Sequence, residues 1–188
     1  MKALWRRLSA WRRADDRLVA AANTVALMVA WNTPFYPLYV LWAAGSDGMP
    51  YALATLCSLP FFAAVPAVAR RTPRLGRAML PFVGVVNSVF CTWLLGQDSG
   101  TELFHLPCIL LGGLLFRPSE RWWQLGMVGL PIVVVVLFHG RYGTPPHIYT
   151  VAEYRALFAM NLFSVATLMG FLALLFGPAG AVAATEPN

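Results

Sequence analysis

The chain of 188 residues is 59% hydrophobic and only 12% charged, with a mean hydropathy of +0.62, a balance that excludes an ordinary soluble domain. A helix needs roughly 20 apolar residues to cross a hydrocarbon core about 30 Å thick, so the length fits at most about six or seven crossings and no soluble catalytic domain. The net charge of +6 therefore has to be explained by membrane topology rather than by nucleic acid.

Residues 1–17, MKALWRRLSAWRRADDR, interleave basic and aromatic side chains, with Leu4, Leu8 and Trp11 at helical spacing. No cleavable apolar core follows a short basic start, so the segment is not a secretory signal; it predicts an interfacial, basic, amphipathic helix. Residues 18–176 hold six charge-poor runs between charged or Pro/Gly-rich breaks: Leu18 to Ala44, Tyr51 to Ala69, Ala78 to Gly96, Leu103 to Phe116, Trp122 to Phe138 and Ala156 to Phe176. These predict an all-α integral membrane protein, a bundle of six transmembrane helices. Residues 177–188, GPAGAVAATEPN, predict a disordered cytoplasmic tail.

The fourth run is short and contains Pro107, but the basic residues around it argue that it crosses. Lys2 and five arginines precede the first run, Arg70, Arg71, Arg74 and Arg77 lie between the second and third, and Arg117 and Arg121 between the fourth and fifth. Arg141 and Arg155 alone fall on the opposite side. Because cytoplasmic loops retain Lys and Arg, the expectation is a multi-pass protein of the bacterial inner (plasma) membrane with both termini cytoplasmic. Membrane lipid is then a partner, and the basic charge gives no reason to expect nucleic acid.

Within the first run, WNTPFYPLYVLW places Asn32, Pro34 and Pro37 near the centre of a helix. Proline removes a backbone donor and clashes with the preceding turn, which predicts unsatisfied carbonyls near Ala30 and Thr33, and both these and the Asn32 amide need partners away from lipid. Asn87 with Ser88, Asn161 with Ser164, and Cys57 with Ser58 lie at comparable depth. With Trp31, Tyr36 and Tyr39 they suggest an aromatic, amide-lined cavity in the outer half of the bundle; the competing reading is that the asparagines simply bond one another between helices.

Glu102, His105 and Cys108 are spaced to share one helical face, and His139 closes the fifth run. A metal or haem site at His105, Cys108 and His139 is the weaker reading, since neither HExxH nor histidines four apart support it; a polar or ligand-contacting role for His105 is preferred, and no cofactor is expected. The odd count of cysteines, Cys57, Cys91 and Cys108, without CxxC spacing, suggests apolar packing rather than disulfides. The chain lacks GxSxG, a P-loop and an intramembrane carboxylate pair, so no enzymatic activity is expected.

The stretch GQDSGTELFHLPCILLGGLLFRPSERWWQLGMVGLP, Gly96 to Pro131, resembles the six-helix membrane input modules of bacterial class III adenylate cyclases and diguanylate cyclases, in which a G-x-D-x-G-x-x-x-(F/Y) turn precedes the fourth span and F-x-x-x-E-R the fifth. PFYPLYVLW is similar to the P-L-Y-x-x-W pattern of the receptor domains of quorum-sensing histidine kinases. The resemblance implies roles for Pro37, Tyr39 and Trp42 in the first span, and for Asp98, Gly100, Phe104 and His105 in the outer turn. Glu120 and Arg121 would be a structural charge anchor. It also implies a receptor or sensor for a small lipophilic ligand, working as a homodimer and signalling to a separate effector, with Trp31, Asn32, Tyr36, Tyr39, Asn87, His105 and Asn161 as the expected contacts. A stand-alone chain and the membrane portion of a larger protein both fit the absence of a catalytic motif. A small transporter, a partner subunit of a membrane complex and a metal- or haem-binding membrane enzyme are the other readings.

Overall fold

The computed structural model describes residues 16–177; the interfacial helix expected over 1–17 and the tail expected over 177–188 lie, but for their innermost residues, outside the described residues. Six helices follow one another: α1 Arg17–Ala44, α2 Met49–Arg71, α3 Pro73–Leu95, α4 Thr101–Leu114, α5 Pro118–Phe138 and α6 Val151–Phe176. All except the shorter α4 are long and apolar enough to cross a membrane, which makes this a multi-pass, all-α membrane protein.

Local chemistry fixes where the helices start. Asp16 caps α1, its Oδ1 accepting the Leu18 N–H at 2.9 Å. Pro73 occupies the first turn of α3, where its missing N–H is harmless, so α3 begins upstream of the expected Ala78 and draws Arg74 and Arg77 into the helix. Thr150 and Glu153 form a reciprocal capping box that starts α6 at Val151 instead of the expected Ala156.

The helix ends sort into two groups. At one end Arg117 Nη2 meets Asp16 Oδ2 at 3.1 Å, while Arg74 and Arg77 both reach Glu120; the start of α1, the α2–α3 turn and the α4–α5 turn therefore sit together. At the other end the Gly140 N–H donates to Gln97 Oε1 at 2.9 Å, and Tyr51 stacks on His147, joining the start of α2, the α3–α4 turn and the α5–α6 loop. The six helices consequently alternate in direction, α4 included. The first group is hereafter the basic end.

Arg77 was expected to be a loop cation. Instead it is 3% exposed, its Nη1 and Nη2 each donating to the Glu120 carboxylate at 2.8 Å and Nη1 also to the Leu115 carbonyl at 2.7 Å. Its guanidinium lies 5.6 Å from the centre of the Phe116 ring. Glu120 in turn accepts the Arg117 N–H at 3.1 Å, so one carboxylate closes the α4–α5 turn and ties it to α3.

Near the basic end, Ala22, Val25 and Ala26 of α1 pack with Phe62 and Val65 of α2 and with Leu111 and Leu115 at the end of α4. On the far side of α4, α5 is peripheral, with only 6% of its apolar window buried. Its contact depends on Gly112, where an added Cβ would lie 2.7 Å from the Met127 carbonyl carbon. Backbone cannot yield as a flexible side chain does, so Gly112→Ala is expected to cost about 1–3 kcal/mol, read as a lower unfolding midpoint in mixed micelles, whereas Gly129→Ala, with open space around it, should leave the midpoint unchanged.

Two helices break where they cross the middle of the bundle. In α1 the prolines produce a 3₁₀ turn, Thr33–Phe35, rather than an open kink. The carbonyl of Thr33, expected to be orphaned, accepts the Tyr36 N–H, because the tighter turn brings a donor one residue closer. A second 3₁₀ turn, Thr55–Ser58, interrupts α2 ahead of Pro60 and packs against the first.

Candidate functional site: a cavity beside the broken helices

A cavity of about 710 Å³ lies among α1, α2, α3, α4 and α6, within the usual range for small-molecule sites. Exposure of Trp31 (72%), Trp42 (87%) and Phe163 (73%), all on its wall, places the mouth sideways between α1 and α6. The cavity extends deeper than the outer half expected from the sequence, down to Leu80, Leu111 and Phe171 toward the basic end. The reason is how α6 leans: it packs chiefly on the segment of α1 after the break, Tyr36–Ala44, and so leaves a gap beside the segment before it.

Among the described residues the wall carries no charged side chain. Its hydroxyls have mostly given their protons to their own helices. Thr33 donates to the Val29 carbonyl at 2.8 Å, Ser58 to Thr55 at 3.0 Å, Ser88 to Gly84 at 2.8 Å and Ser164 to Met160 at 2.9 Å, so each has only acceptor capacity left for a guest. The amides differ. Asn32 Oδ1 accepts from the Tyr39 hydroxyl at 3.4 Å, and Asn87 Oδ1 faces the Cys91 thiol at 3.6 Å, which leaves the NH₂ donors of both amides for whatever enters.

Of the residues expected to contact a ligand, Trp31, Asn32, Tyr36, Tyr39 and Asn87 line the cavity, whereas Asn161 and His105 do not. Asn161 is fully buried; its Oδ1 accepts from the Tyr36 hydroxyl at 3.1 Å and its Nδ2 donates to the Ser99 carbonyl at 2.8 Å, bracing α6 against α1 and the α3–α4 turn. His105 is 2% exposed, with Nδ1 2.8 Å from the Glu102 carbonyl oxygen, because the 3₁₀ turn over Thr101–Phe104 directs its ring behind the wall. Cys57 is exposed and outside the cavity. Thr55, Phe104, Cys108 and Phe163 also line it; the sequence places Phe104 in the outer turn and Cys108 among packing residues or a weaker metal set, and points to a cavity role for none of the four, only Thr55 bearing a local signal, its place three residues before Ser58 in the broken turn.

The antiparallel pair α4 and α5 brings His139 to Glu102, Nδ1 to Oε2 at 2.8 Å, and Gln97 Nε2 lies 2.6 Å from the same ring nitrogen. Cys108 instead faces the cavity, and among the described residues no three His, Cys, Asp or Glu side chains converge as a metal site; the weaker metal reading of His105, Cys108 and His139 thus lacks its geometry. Over this end of the bundle Tyr149 lies buried, with its ring edge-on to His147 at 4.5 Å and to Tyr154 at 5.4 Å. Burial, followed by the neighbouring Tyr154, pushes its hydroxyl up to about 12. Gly48 makes room for it, since a Cβ there would overlap the Tyr149 ring.

Comparison with protein-family models, with curated proteins and with solved structures finds no match to this chain.

Proposed function

We propose that this protein is a membrane receptor that holds an uncharged, lipophilic ligand in the cavity and signals through a change in helix packing. The observation that carries the reading is the coincidence of the cavity with two amides whose donors are unspent. A guest with a carbonyl or similar acceptor and an apolar body satisfies those donors and fills the wall, while an ion finds no counter-charge there. In this reading all six helices cross the bacterial inner membrane, with the basic end and both termini cytoplasmic. The ligand reaches the site from the bilayer, passing Trp31 and Phe163. A homodimer and a separate cytoplasmic or membrane effector complete the pathway.

Binding shifts a conformational equilibrium only if the two packings hold the ligand with different affinity. The adjoining breaks in α1 and α2 supply the element with two arrangements, because segments on either side of a break have fewer shared backbone bonds. The test is to purify the protein in mild detergent and identify retained lipophilic molecules by native mass spectrometry. Asn32→Ala and Asn87→Ala are each expected to lower retention by up to about tenfold with an unchanged unfolding midpoint. Equal retention by wild type and both variants would remove the basis for a receptor. The broken pair of helices also favours a second reading, a small transporter; solute flux in vesicles that requires Asn32 and Asn87 would select it.

A further inference from the structure

A second concavity, of about 510 Å³, lies at the basic end and shares no residue with the first. Its wall carries Arg71, Arg74, Arg77 and Arg117 against two carboxylates, Asp16 and Glu120. Those carboxylates are already used: Glu120 by Arg74 and Arg77, Asp16 by Arg117. Among the described residues positive charge is therefore in excess, with no further acid on the wall to offset it.

The start of α3 opens into the same groove through Thr72, Pro73, Arg74 and Leu75. The first intrahelical bond runs from the Gly76 N–H to the Thr72 carbonyl at 3.0 Å, so the N–H groups of Arg74 and Leu75 precede it. Thr72 does not cap them; its hydroxyl donates backwards to the Val68 carbonyl at 3.3 Å, and the first turn has no acidic residue. An uncapped helix start is an anion site in waiting. Independently, Arg77, 3% exposed, keeps its Nε–H without an acceptor. Trp123, 37% exposed, also lines the groove, and tryptophan is a residue type enriched at membrane–water interfaces.

From these observations we infer that the groove binds the phosphate of an anionic lipid headgroup, gripped by the arginine side chains and the first N–H groups of α3. Basic recesses between helices at this depth recognise such headgroups, and guanidinium forks match phosphate oxygens. Loss of headgroup contact would be felt at Glu120, the residue that joins α3 to the α4–α5 turn.

The test uses the full chain in detergent, titrated with dioctanoyl phosphatidic acid, dioctanoyl phosphatidylcholine and inorganic phosphate, and read by native mass spectrometry. Phosphatidic acid should bind about tenfold more tightly than phosphatidylcholine. Arg71→Gln and Arg117→Gln should each weaken it about fivefold. Leu75→Glu puts a carboxylate in the uncapped turn and should weaken binding at least as much while leaving the unfolding midpoint unchanged or raised, which separates lost binding from lost folding; Arg141→Gln, at the opposite end, should bind as wild type does. Equal affinity for phosphatidylcholine, or wild-type binding by Leu75→Glu and Arg71→Gln, overturns the site. Inorganic phosphate binding as tightly as phosphatidic acid overturns the lipid as its occupant.

Discussion

Replacing Glu120 with alanine is expected to destabilise the protein by about 3–5 kcal/mol, since it leaves the Arg77 charge buried without its partner. Arg77 is 3% exposed and Glu120 9%, and the fork between them is bidentate. Truncation also frees the Arg117 N–H and Arg74, which share the same carboxylate. Chemical unfolding in mixed micelles, followed by tryptophan fluorescence, measures the loss. The double variant Arg77→Leu with Glu120→Leu should recover most of it, because an apolar pair of similar volume removes both desolvated charges. If Glu120→Ala unfolds at the wild-type midpoint, the pair is not buried and the tie between α3 and the α4–α5 turn is absent.

The second large effect is expected at Asn161. Its amide ties the Tyr36 hydroxyl of α1 and the Ser99 carbonyl of the α3–α4 turn to the middle of α6. Asn161→Leu fits the volume but strands both groups, at about 1–3 kcal/mol each. Tyr36→Phe removes only the phenolic end, leaves the bond to Ser99, and should cost about 1 kcal/mol. The pair of midpoints separates a structural brace from a ligand contact. If Asn161→Leu keeps the wild-type midpoint and instead loses the retained molecule, Asn161 belongs to the cavity rather than to its support.

The number of helices was legible because each apolar run is bounded by charge or by Pro and Gly. Residue-level boundaries were less so, and for identifiable reasons. Arg77 reads as a loop cation when hydropathy alone sets the end of a span. Pro73 at a helix start, followed one turn later by Arg77 facing Glu120, is a tertiary arrangement that hydropathy does not encode. The break in α1 was written in Pro34 and Pro37, yet the sequence could not show that a 3₁₀ turn would re-pair the Thr33 carbonyl. In α2 the prolines Pro60 and Pro66 mark a weakened span, but the 3₁₀ turn falls at Thr55–Ser58, ahead of both, where small side chains give no sign of it. For the cavity, residues near the α1 break were found from local chemistry. Which residues at that depth line the cavity, as Cys108, Phe104 and Phe163 do, and which lie off its wall, as His105 and Asn161 do, depends on how α4 and α6 lean: depth in a span is readable, but azimuth around the bundle is not.

The two adjoining 3₁₀ turns have a mechanical consequence. Each residue that passes from that winding to the ordinary α form shortens the axis by about 0.5 Å and unwinds it by about 20°. Rewinding Thr33–Phe35 would thus draw in the end of α1 by about 1.5 Å and swivel Tyr36, Tyr39 and Trp42 together through about 60°. Such a step moves the Tyr36 N–H off the Thr33 carbonyl and leaves that carbonyl without a backbone donor, since Pro37 has no N–H, so the rewound form needs a guest or a neighbouring side chain to satisfy it. A screw of this pitch, set against the neighbouring turn in α2, converts a small change in backbone pairing into a torque on the aromatic rim.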